Sequence, residues 1–235
     1  MLRVLILMAS LAAASYALPA ELLPYKAFPD EAQAKKVKAV VDHRTFRHSI
    51  ADTRFQSDSR TFNYLLDRMP MTTAIMREMG LEKYEITSCP DGTMKCDDKE
   101  GVIGTMETAY TANDKRVYYG DGTFDAPLLG KIRGESVVVL DYVQQEPGVM
   151  ANTVTIFIRV HSFFAPIMKL FSPAIKGMVT RKSASLMGAS MKLSEKLTCD
   201  PEAVYDKIQD SEIITPGELS DFKKAFLPDE GASSI

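Results

Sequence analysis

Three side chains near the end of an alternating run could do acid–base chemistry. Arg159 and His161 are two residues apart, so they share one face of any strand that contains both. Asp141 stands between apolar neighbours in the preceding run. If the faces coincide, these three residues form a polar patch in an apolar cavity, able to orient a ligand head group or to transfer a proton. The alternative is a solvated outer face.

Other catalytic signatures are absent from the sequence. It contains no G-x-S-x-G, no H-E-x-x-H, no G-x-G-x-x-G after a strand and no G-x-x-x-x-G-K. Ser220 to Lys223 fits S-x-x-K, but the partner motifs of penicillin-binding enzymes are missing. His43 and His48 are five residues apart, whereas two imidazoles share a helical face at a spacing of four. We therefore expect no metal site and no cofactor, and a binding protein is favoured over an enzyme.

The cysteines predict one disulfide. Cys89 and Cys96 flank the turn sequence Pro90-Asp91-Gly92-Thr93, which would bring two strand ends close together. We expect these two to be bridged and Cys199 to be left over. A bridge across so short a loop contributes about 2–3 kcal/mol, enough to fix a hairpin tip but not to decide the fold. The alternative is three reduced, half-buried thiols.

Residues 1–17 have the pattern of a cleavable secretory signal peptide. Arg3 precedes an apolar run from Val4 to Ala14, and Ser15 and Ala17 fit the −3 and −1 positions of a cleavage site. An uncleaved anchor or a buried helix is the alternative, but a spanning helix needs roughly 20 apolar residues. The sequence therefore predicts an exported protein, periplasmic or secreted, with no membrane span after cleavage.

Composition and charge limit the partners. A chain with 46% hydrophobic and 25% charged residues is typical of a soluble packed domain. Its formal charge is −3, and loss of Arg3 with the signal peptide would make it one unit more negative. Such a chain is not attracted to phosphate backbones, so nucleic acid is not expected as a partner. Protein partners stay open.

Hydrophobic periodicity predicts the elements that would hold these residues. Asp30 should cap a surface helix that runs to Val41, and two short helices should lie between residues 58 and 80, separated by Pro70. Strands are predicted at about 47–55, 83–88, 102–111, 116–125, 135–144 and 150–161. A long helix should follow at about 174–197, and two capped helices should begin after Asp200 and Thr215. Short connections favour antiparallel pairing, and the long helix needs the apolar face of the sheet, which gives a two-layer α+β domain.

This order of elements resembles the START-like, or helix-grip, superfamily, also described as polyketide cyclase/dehydrase-like or SRPBCC-type. The resemblance is carried by residues 55–86, with the FNYLLDRMP helix and the KYEI strand. It is also carried by residues 154–197, where the last strand enters a proline-bearing segment and then the long helix. It covers about residues 47–197; residues 18–46 are an N-terminal extension with a helix, and residues 198–235 are a C-terminal helical tail. The resemblance implies a curved antiparallel sheet that grips a long C-terminal helix, with a cavity for a lipid, sterol or polyketide between them.

The methionine content adds a physical argument for that cavity, because flexible thioether side chains can form a deformable wall. The candidate lining residues are Met69, Met76, Met79, Phe157, Met178, Leu186, Met187 and Met191. The alternative is that these residues only fill the core. The resulting hypothesis is an exported soluble binding protein that carries a lipid-like or other hydrophobic small molecule. A cyclase or isomerase using the same cavity and a non-catalytic structural or interaction module are the alternatives.

Overall fold

The structure is a computed structural model that describes residues 23–126, 130–161 and 165–227. The predicted signal peptide, residues 1–17, lies outside these ranges. A 3-10 turn at Tyr25–Ala27 precedes the helices α1 Glu31–Asp42, α2 Ser59–Asp67, α3 Met69–Glu78, α4 Ala165–Cys199, α5 Pro201–Ile208 and α6 Pro216–Phe226. The strands are β1 Phe46–Gln56, β2 Glu85–Ser88, β3 Met94–Asp97, β4 Val102–Thr111, β5 Lys115–Ala126, β6 Gly130–Glu146 and β7 Val149–His161.

Seven strands in the described ranges form one antiparallel sheet with the order β1-β7-β6-β5-β4-β3-β2. The first strand of the chain therefore pairs with the last, and β1 and β2 are the two edges. The pairing of β1 with β7 shifts between Ile50 and Thr53, where Asp52 has a left-handed φ of 52°. This bulge bends the edge strand and interrupts its ladder of hydrogen bonds.

The helix starts follow from side-chain caps that the sequence predicts. Asp30 accepts a hydrogen bond from the Ala32 amide at 2.8 Å, and Asp58 accepts one from the Thr61 amide at 2.8 Å. Asp200 caps α5 in the same way, and Thr215 forms a capping box with Glu218 at the start of α6. Each cap satisfies an amide that the first helical turn leaves without a partner.

One face of the sheet, the inner face, is covered by α2, α3 and α4. Phe55, Phe62, Leu140, Tyr142 and Met150 form a solid core between α2 and the strands. A second core joins α2, α3 and α4 to the C-terminal tail. The tail contributes the buried residues Val204 and Ile208 of α5, Ile214 of the connection, and Phe222 of α6. The tail therefore shares a core with the long helix.

The other face of the sheet, the outer face, is covered by α1. Val37 and Val40 are fully buried and pack in one cluster with Val137, Val139 and Phe157 of the sheet. The predicted surface helix is therefore confirmed: the charged residues of α1 are exposed, and one narrow apolar stripe lies on the strands. The result is a sheet with a layer of helix on each side.

The α+β fold with a curved antiparallel sheet gripping a long helix is confirmed, and three details differ from the sequence reading. The strand β3, Met94–Asp97, is not among the predicted strands, because four residues are too few to show an alternating pattern. Pro70 lies in the first turn of α3, where a missing amide proton is tolerated, so it opens that helix. The long helix begins at Ala165, so it includes the segment that was read as separate.

No helix in the described ranges is long and apolar enough to cross a membrane.

Candidate functional site

A cavity of about 300 Å³ lies between the inner face of the sheet and α4. From α4 it is lined by Met178, Val179, Lys182 and Ser183, which lie on one side of the helix over almost two turns. From the sheet it is lined mainly by apolar side chains on β4 to β7: Val102, Met106, Phe124, Val138, Ile156 and Ile158. Its size and lining fit a small apolar ligand, at the lower end of the range of about 300–1,000 Å³ for such sites.

The alternation of β6 and β7 creates this cavity. Val138 faces it together with Ile156 and Ile158, while Val137 and Phe157 point to α1 on the outer face. Gly134 and Ser136 supply little or no side chain at the middle of β6, so the space between the sheet and α4 is not filled there. A local shortage of side-chain volume therefore leaves the space.

Among the polar residues that line the cavity, Tyr84, Cys96 and Tyr118 carry ionisable groups whose pKa is shifted by burial. Burial raises the pKa of Cys96 to about 11, and burial likewise raises the pKa of Tyr84 and of Tyr118. All three groups are therefore neutral near pH 7. Tyr118 is only 5% exposed, and its hydroxyl has no hydrogen-bond partner within the described residues. Such a group costs about 1–3 kcal/mol when it is buried unpaired.

Lys182 is the one cationic side chain among the described residues that line this cavity, and it is paired. Its Nζ contacts the buried carboxylate of Asp98 and lies 3.1 Å from Glu100 Oε2. Asp98 also accepts hydrogen bonds from the Glu100 and Val102 amides, each at 2.8 Å. Lys182 therefore ties α4 to the connection between β3 and β4, and its charge is already balanced.

A second cavity of about 340 Å³ adjoins the first on the far side of Tyr118, which lines both. It is bounded by the start of α3 and the tips of β2, β3 and β4, and Met69, Cys89 and Arg116 contribute to its wall. The Arg116 guanidinium is held by Asn63 Oδ1 at 2.9 Å and Asp67 Oδ1 at 3.1 Å. This cavity is more polar than the first, and Arg116, the one cationic side chain among the described residues that line it, is already paired.

The three predicted catalytic residues do not lie in the cavity. Arg159 and His161 are together, as the spacing predicts, but on the outer face, where both contact the carboxylate of Glu135. Tyr119 donates to the other oxygen of Glu135 at 2.5 Å. Asp141 lies further along β6 and pairs with Lys115 at 2.6 Å. The prediction is therefore corrected: period-two alternation places residues on a common face but does not tell which face meets the long helix.

Glu135 is the centre of this outer-face cluster. Burial alone would raise its pKa, but the hydrogen bonds from Tyr119, Arg159 and His161 outweigh it and hold the pKa of Glu135 below its usual value. The carboxylate is thus charged and fully engaged, which is the state of a structural anchor rather than of a proton acceptor. The described residues contain no group of three or more His, Cys, Asp or Glu side chains placed to hold a metal ion.

The predicted lining residues separate into several environments. Met178 lines the apolar cavity and Met69 lines the second cavity. Met76 is buried in the helical core, and Met79 and Leu186 pack against it. Met191 packs against the core around Phe62, and Met187 is half-buried. Phe157 is fully buried under α1 on the outer face, so its assignment to the cavity is corrected.

The predicted disulfide is absent: Cys89, Cys96 and Cys199 are all free thiols. Cys96 lies opposite Ile86 in the pairing of β2 with β3, whereas the Cys89 amide bonds to the Thr93 carbonyl at the turn. The two cysteines are thus about three residues, or about 10 Å, apart along the hairpin. Cα atoms more than 7 Å apart cannot be bridged without movement of the backbone.

Sequence reasoning missed Tyr118, Lys182 and the glycines of the cavity wall. The glycines did leave a signal, since Gly120 and Gly122 occupy alternate positions of a predicted strand, where glycine marks close approach of a ligand or of another backbone. In the sequence, Lys182 only interrupts the apolar stripe of the predicted helix at about 174–197. The unpaired hydroxyl of Tyr118 has no sequence signature.

Comparison with known proteins adds little beyond the architecture. No family model matches the chain, and no curated protein matches it. A conserved protein from Geobacillus kaustophilus is 13% identical with a TM-score of 0.47, and the match covers 64% of this chain and 96% of that one. A START superfamily protein from Mycobacterium smegmatis is 12% identical with a TM-score of 0.41, covering 64% and 98%. Truncated norcoclaurine synthase from Thalictrum flavum is 15% identical with a TM-score of 0.39, covering 67% and 96%. At these identities and scores the similarities carry no argument about function.

Proposed function

We propose that this chain is an exported binding protein that carries a lipid-like or other hydrophobic small molecule in the cavity between the sheet and α4. The observation that carries this proposal is the cavity itself, an apolar space in a domain whose neighbouring cores are closely packed. An apolar cavity with a few polar groups is the usual form of a small-molecule site.

The charges around the cavity support binding over catalysis. Lys182 is neutralised by two carboxylates, and Tyr84, Cys96 and Tyr118 are neutral near pH 7. A proton-transfer enzyme needs a group poised to gain or lose a proton near the working pH. The cyclase or isomerase alternative relied on Asp141, Arg159 and His161, which lie on the other face of the sheet.

The export half of the proposal depends on residues 1–17 alone. A carrier outside the cytoplasm would meet its ligand in an envelope or in the outside medium, which favours lipid handling over polyketide chemistry. The mass of the chain recovered from its own host tests this half: we expect a protein that begins at residue 18. Recovery of the intact N-terminus from the cytoplasmic fraction would refute it.

Ligand binding is tested by native mass spectrometry and organic extraction of the purified protein, followed by uptake of a fluorescent fatty acid or sterol. The variant Val138→Phe places a phenyl ring in the cavity and should abolish uptake. Val143→Phe is a matched control on the same strand, because Val143 is 54% exposed and does not line the cavity. A folded wild-type protein that neither retains nor takes up any apolar compound would refute the proposal.

A further inference from the structure

Part of the cavity wall is made of glycines on three neighbouring strands. Gly104, Gly122 and Gly134 are direct cross-strand neighbours on β4, β5 and β6, and Gly120 lies two residues from Gly122 on the same face. We call these four residues the glycine floor. The row of three crosses two strand spacings, about 10 Å, over which bare backbone replaces side chains.

Part of the glycine floor is required by the backbone. A Cβ on Gly104 would lie 2.5 Å from the Asp121 carbonyl oxygen, and one on Gly122 would lie 2.6 Å from the Ile103 carbonyl oxygen. These two strands approach too closely for any side chain at either position. The close approach also makes this part of the wall flat.

Gly120 is different, because the backbone does not require it. A Cβ at Gly120 would meet the Ser136 hydroxyl at 2.8 Å, the end of a small side chain, and then nothing nearer than 3.5 Å. A glycine in the middle of a strand weakens that strand, and where no neighbouring backbone demands it, it marks the approach of a ligand. The missing side chain at Gly120 therefore leaves room for an occupant.

An independent observation lies two residues away. Tyr118 precedes Gly120 on the same face of β5 and lines the cavity. Tyr118 is only 5% exposed, and its hydroxyl has no hydrogen-bond partner in the described part of the chain. The hydroxyl of Tyr142, also buried, donates to Asn63 Oδ1 at 2.7 Å. Since buried polar groups are nearly always paired, the Tyr118 hydroxyl needs a hydrogen-bond partner, and the described residues supply none.

The charges around the cavity disfavour an anionic group as the acceptor that meets the Tyr118 hydroxyl. The cationic side chain among the described lining residues, Lys182, already contacts Asp98 and Glu100, so this corner of the cavity carries a net negative charge. A carboxylate or phosphate would be desolvated here without a free cation to pair with it.

We propose that the cavity binds a flat, uncharged ring system with one hydrogen-bond acceptor, laid against the glycine floor so that its acceptor meets the Tyr118 hydroxyl. This inference rests on the binding function proposed above and narrows its ligand class. It assigns Tyr118 to recognition of the acceptor and Gly120 to recognition of the flat shape.

The test compares three probes by equilibrium dialysis: 9-fluorenone, which is flat with one carbonyl; fluorene, which lacks it; and tetradecan-1-ol, a flexible chain. Wild-type protein should bind 9-fluorenone about tenfold more tightly than fluorene, the ratio expected from one buried neutral hydrogen bond. Tyr118→Phe should reduce the affinity for 9-fluorenone to that for fluorene and leave the affinity for fluorene unchanged. It should not lower the thermal stability and should raise it if anything, because the lost hydroxyl is buried without a partner.

Gly120→Ala should weaken the binding of both flat probes and leave the binding of tetradecan-1-ol unchanged, since a flexible chain can avoid one added methyl group. Gly188→Ala is the matched control, because a Cβ there meets nothing within 4 Å and Gly188 does not line the cavity. If Gly120→Ala does not fold, the double variant with Ser136→Ala removes the nearest contact of the new methyl group.

Equal wild-type affinity for 9-fluorenone and fluorene, or a Tyr118→Phe variant that keeps the tenfold ratio, would overturn this inference. Binding of tetradecan-1-ol without either flat probe would also overturn it and would leave the proposed binding function standing. Failure of the folded protein to bind all three probes would overturn both.

Discussion

Replacing Phe222 by alanine should destabilise the whole domain, although Phe222 lies in the C-terminal tail. Its side chain is fully buried, and its ring centroid lies 5.0 Å from that of Phe226 and 6.2 Å from that of Tyr205. The same cluster contains Met76 of α3 and Leu193 of α4. The change would therefore open a cavity in the core that fixes the long helix.

The expected loss is about 3–5 kcal/mol for a buried phenylalanine truncated to alanine. Folded domains are typically stable by only about 5–15 kcal/mol, so this is a large share. With an m-value of about 2 kcal/mol/M, a loss of about 4 kcal/mol lowers the urea midpoint by about 2 M. Ile213→Ala is the control, because Ile213 is 45% exposed and its truncation should change stability by less than about 0.5 kcal/mol.

Urea unfolding followed by far-UV circular dichroism measures both variants. A single transition that moves to lower urea supports one cooperative core. A loss below about 1 kcal/mol, or a separate early transition with the remaining midpoint unchanged, would show that the tail folds independently and refute the reasoning.

Three further predictions concern charged and thiol groups. Glu135→Gln should cost about 1–3 kcal/mol at pH 7. Because the pKa of Glu135 is lowered in the folded protein, this difference should shrink as the pH falls below 4.5, the ordinary glutamate value, in urea titrations at successive pH values. Lys182→Met leaves the buried Asp98 carboxylate without its cation and should lower the melting temperature by about 5 °C, whereas Lys182→Arg should not. Thiol titration of the denatured protein without reductant should count three thiols, and in the folded protein Cys96 should react more slowly than Cys199, because burial raises its pKa to about 11 and Cys199 is exposed.

Each of these outcomes can fail. If the free energy of unfolding of Glu135→Gln differs from that of the wild type by the same amount from pH 7 to pH 3, the Glu135 cluster does not contribute to the pH dependence of stability. Equal melting temperatures for Lys182→Met and wild type would show that Asp98 is satisfied by its two amide hydrogen bonds alone. A count of one thiol without reductant would restore the predicted disulfide.

Much of the fold could be predicted because its signals are local. A cap such as Asp30 acts on amides two or three residues away, and the limits of β4 follow from the residues within it, so the predicted strand at 102–111 matches the structure. The strand β3 failed because four residues are too few to show a period. The start of α4 is predicted too late, because Ser172-Pro173 is a typical end of a helical segment, whereas α4 continues through it.

The site was harder to predict because it depends on contacts between distant segments. The alternating pattern correctly predicts that Arg159 and His161 share one face of the strand. It does not show that this face, which includes Phe157, is covered by α1, more than a hundred residues earlier in the chain. Methionines such as Met76 fill the helical core, because thioethers suit any irregular apolar space. The cavity arises because glycines and a serine leave side-chain volume unfilled, and the hydrophobic pattern of a strand carries no information about side-chain volume.

The bulge at Asp52 has a consequence for how this chain behaves beside copies of itself. A sheet that does not close on itself offers two rows of unsatisfied backbone groups, onto which a foreign strand can add. Here β2 is only four residues long, and β1 is broken by Asp52, an exposed carboxylate in a left-handed conformation. An incoming strand could pair in register with only about half of β1, because the bulge bends the strand. Pairing beyond it would also bury the Asp52 carboxylate, which costs free energy. The bulge at Asp52 therefore protects the protein against edge-to-edge aggregation at high concentration.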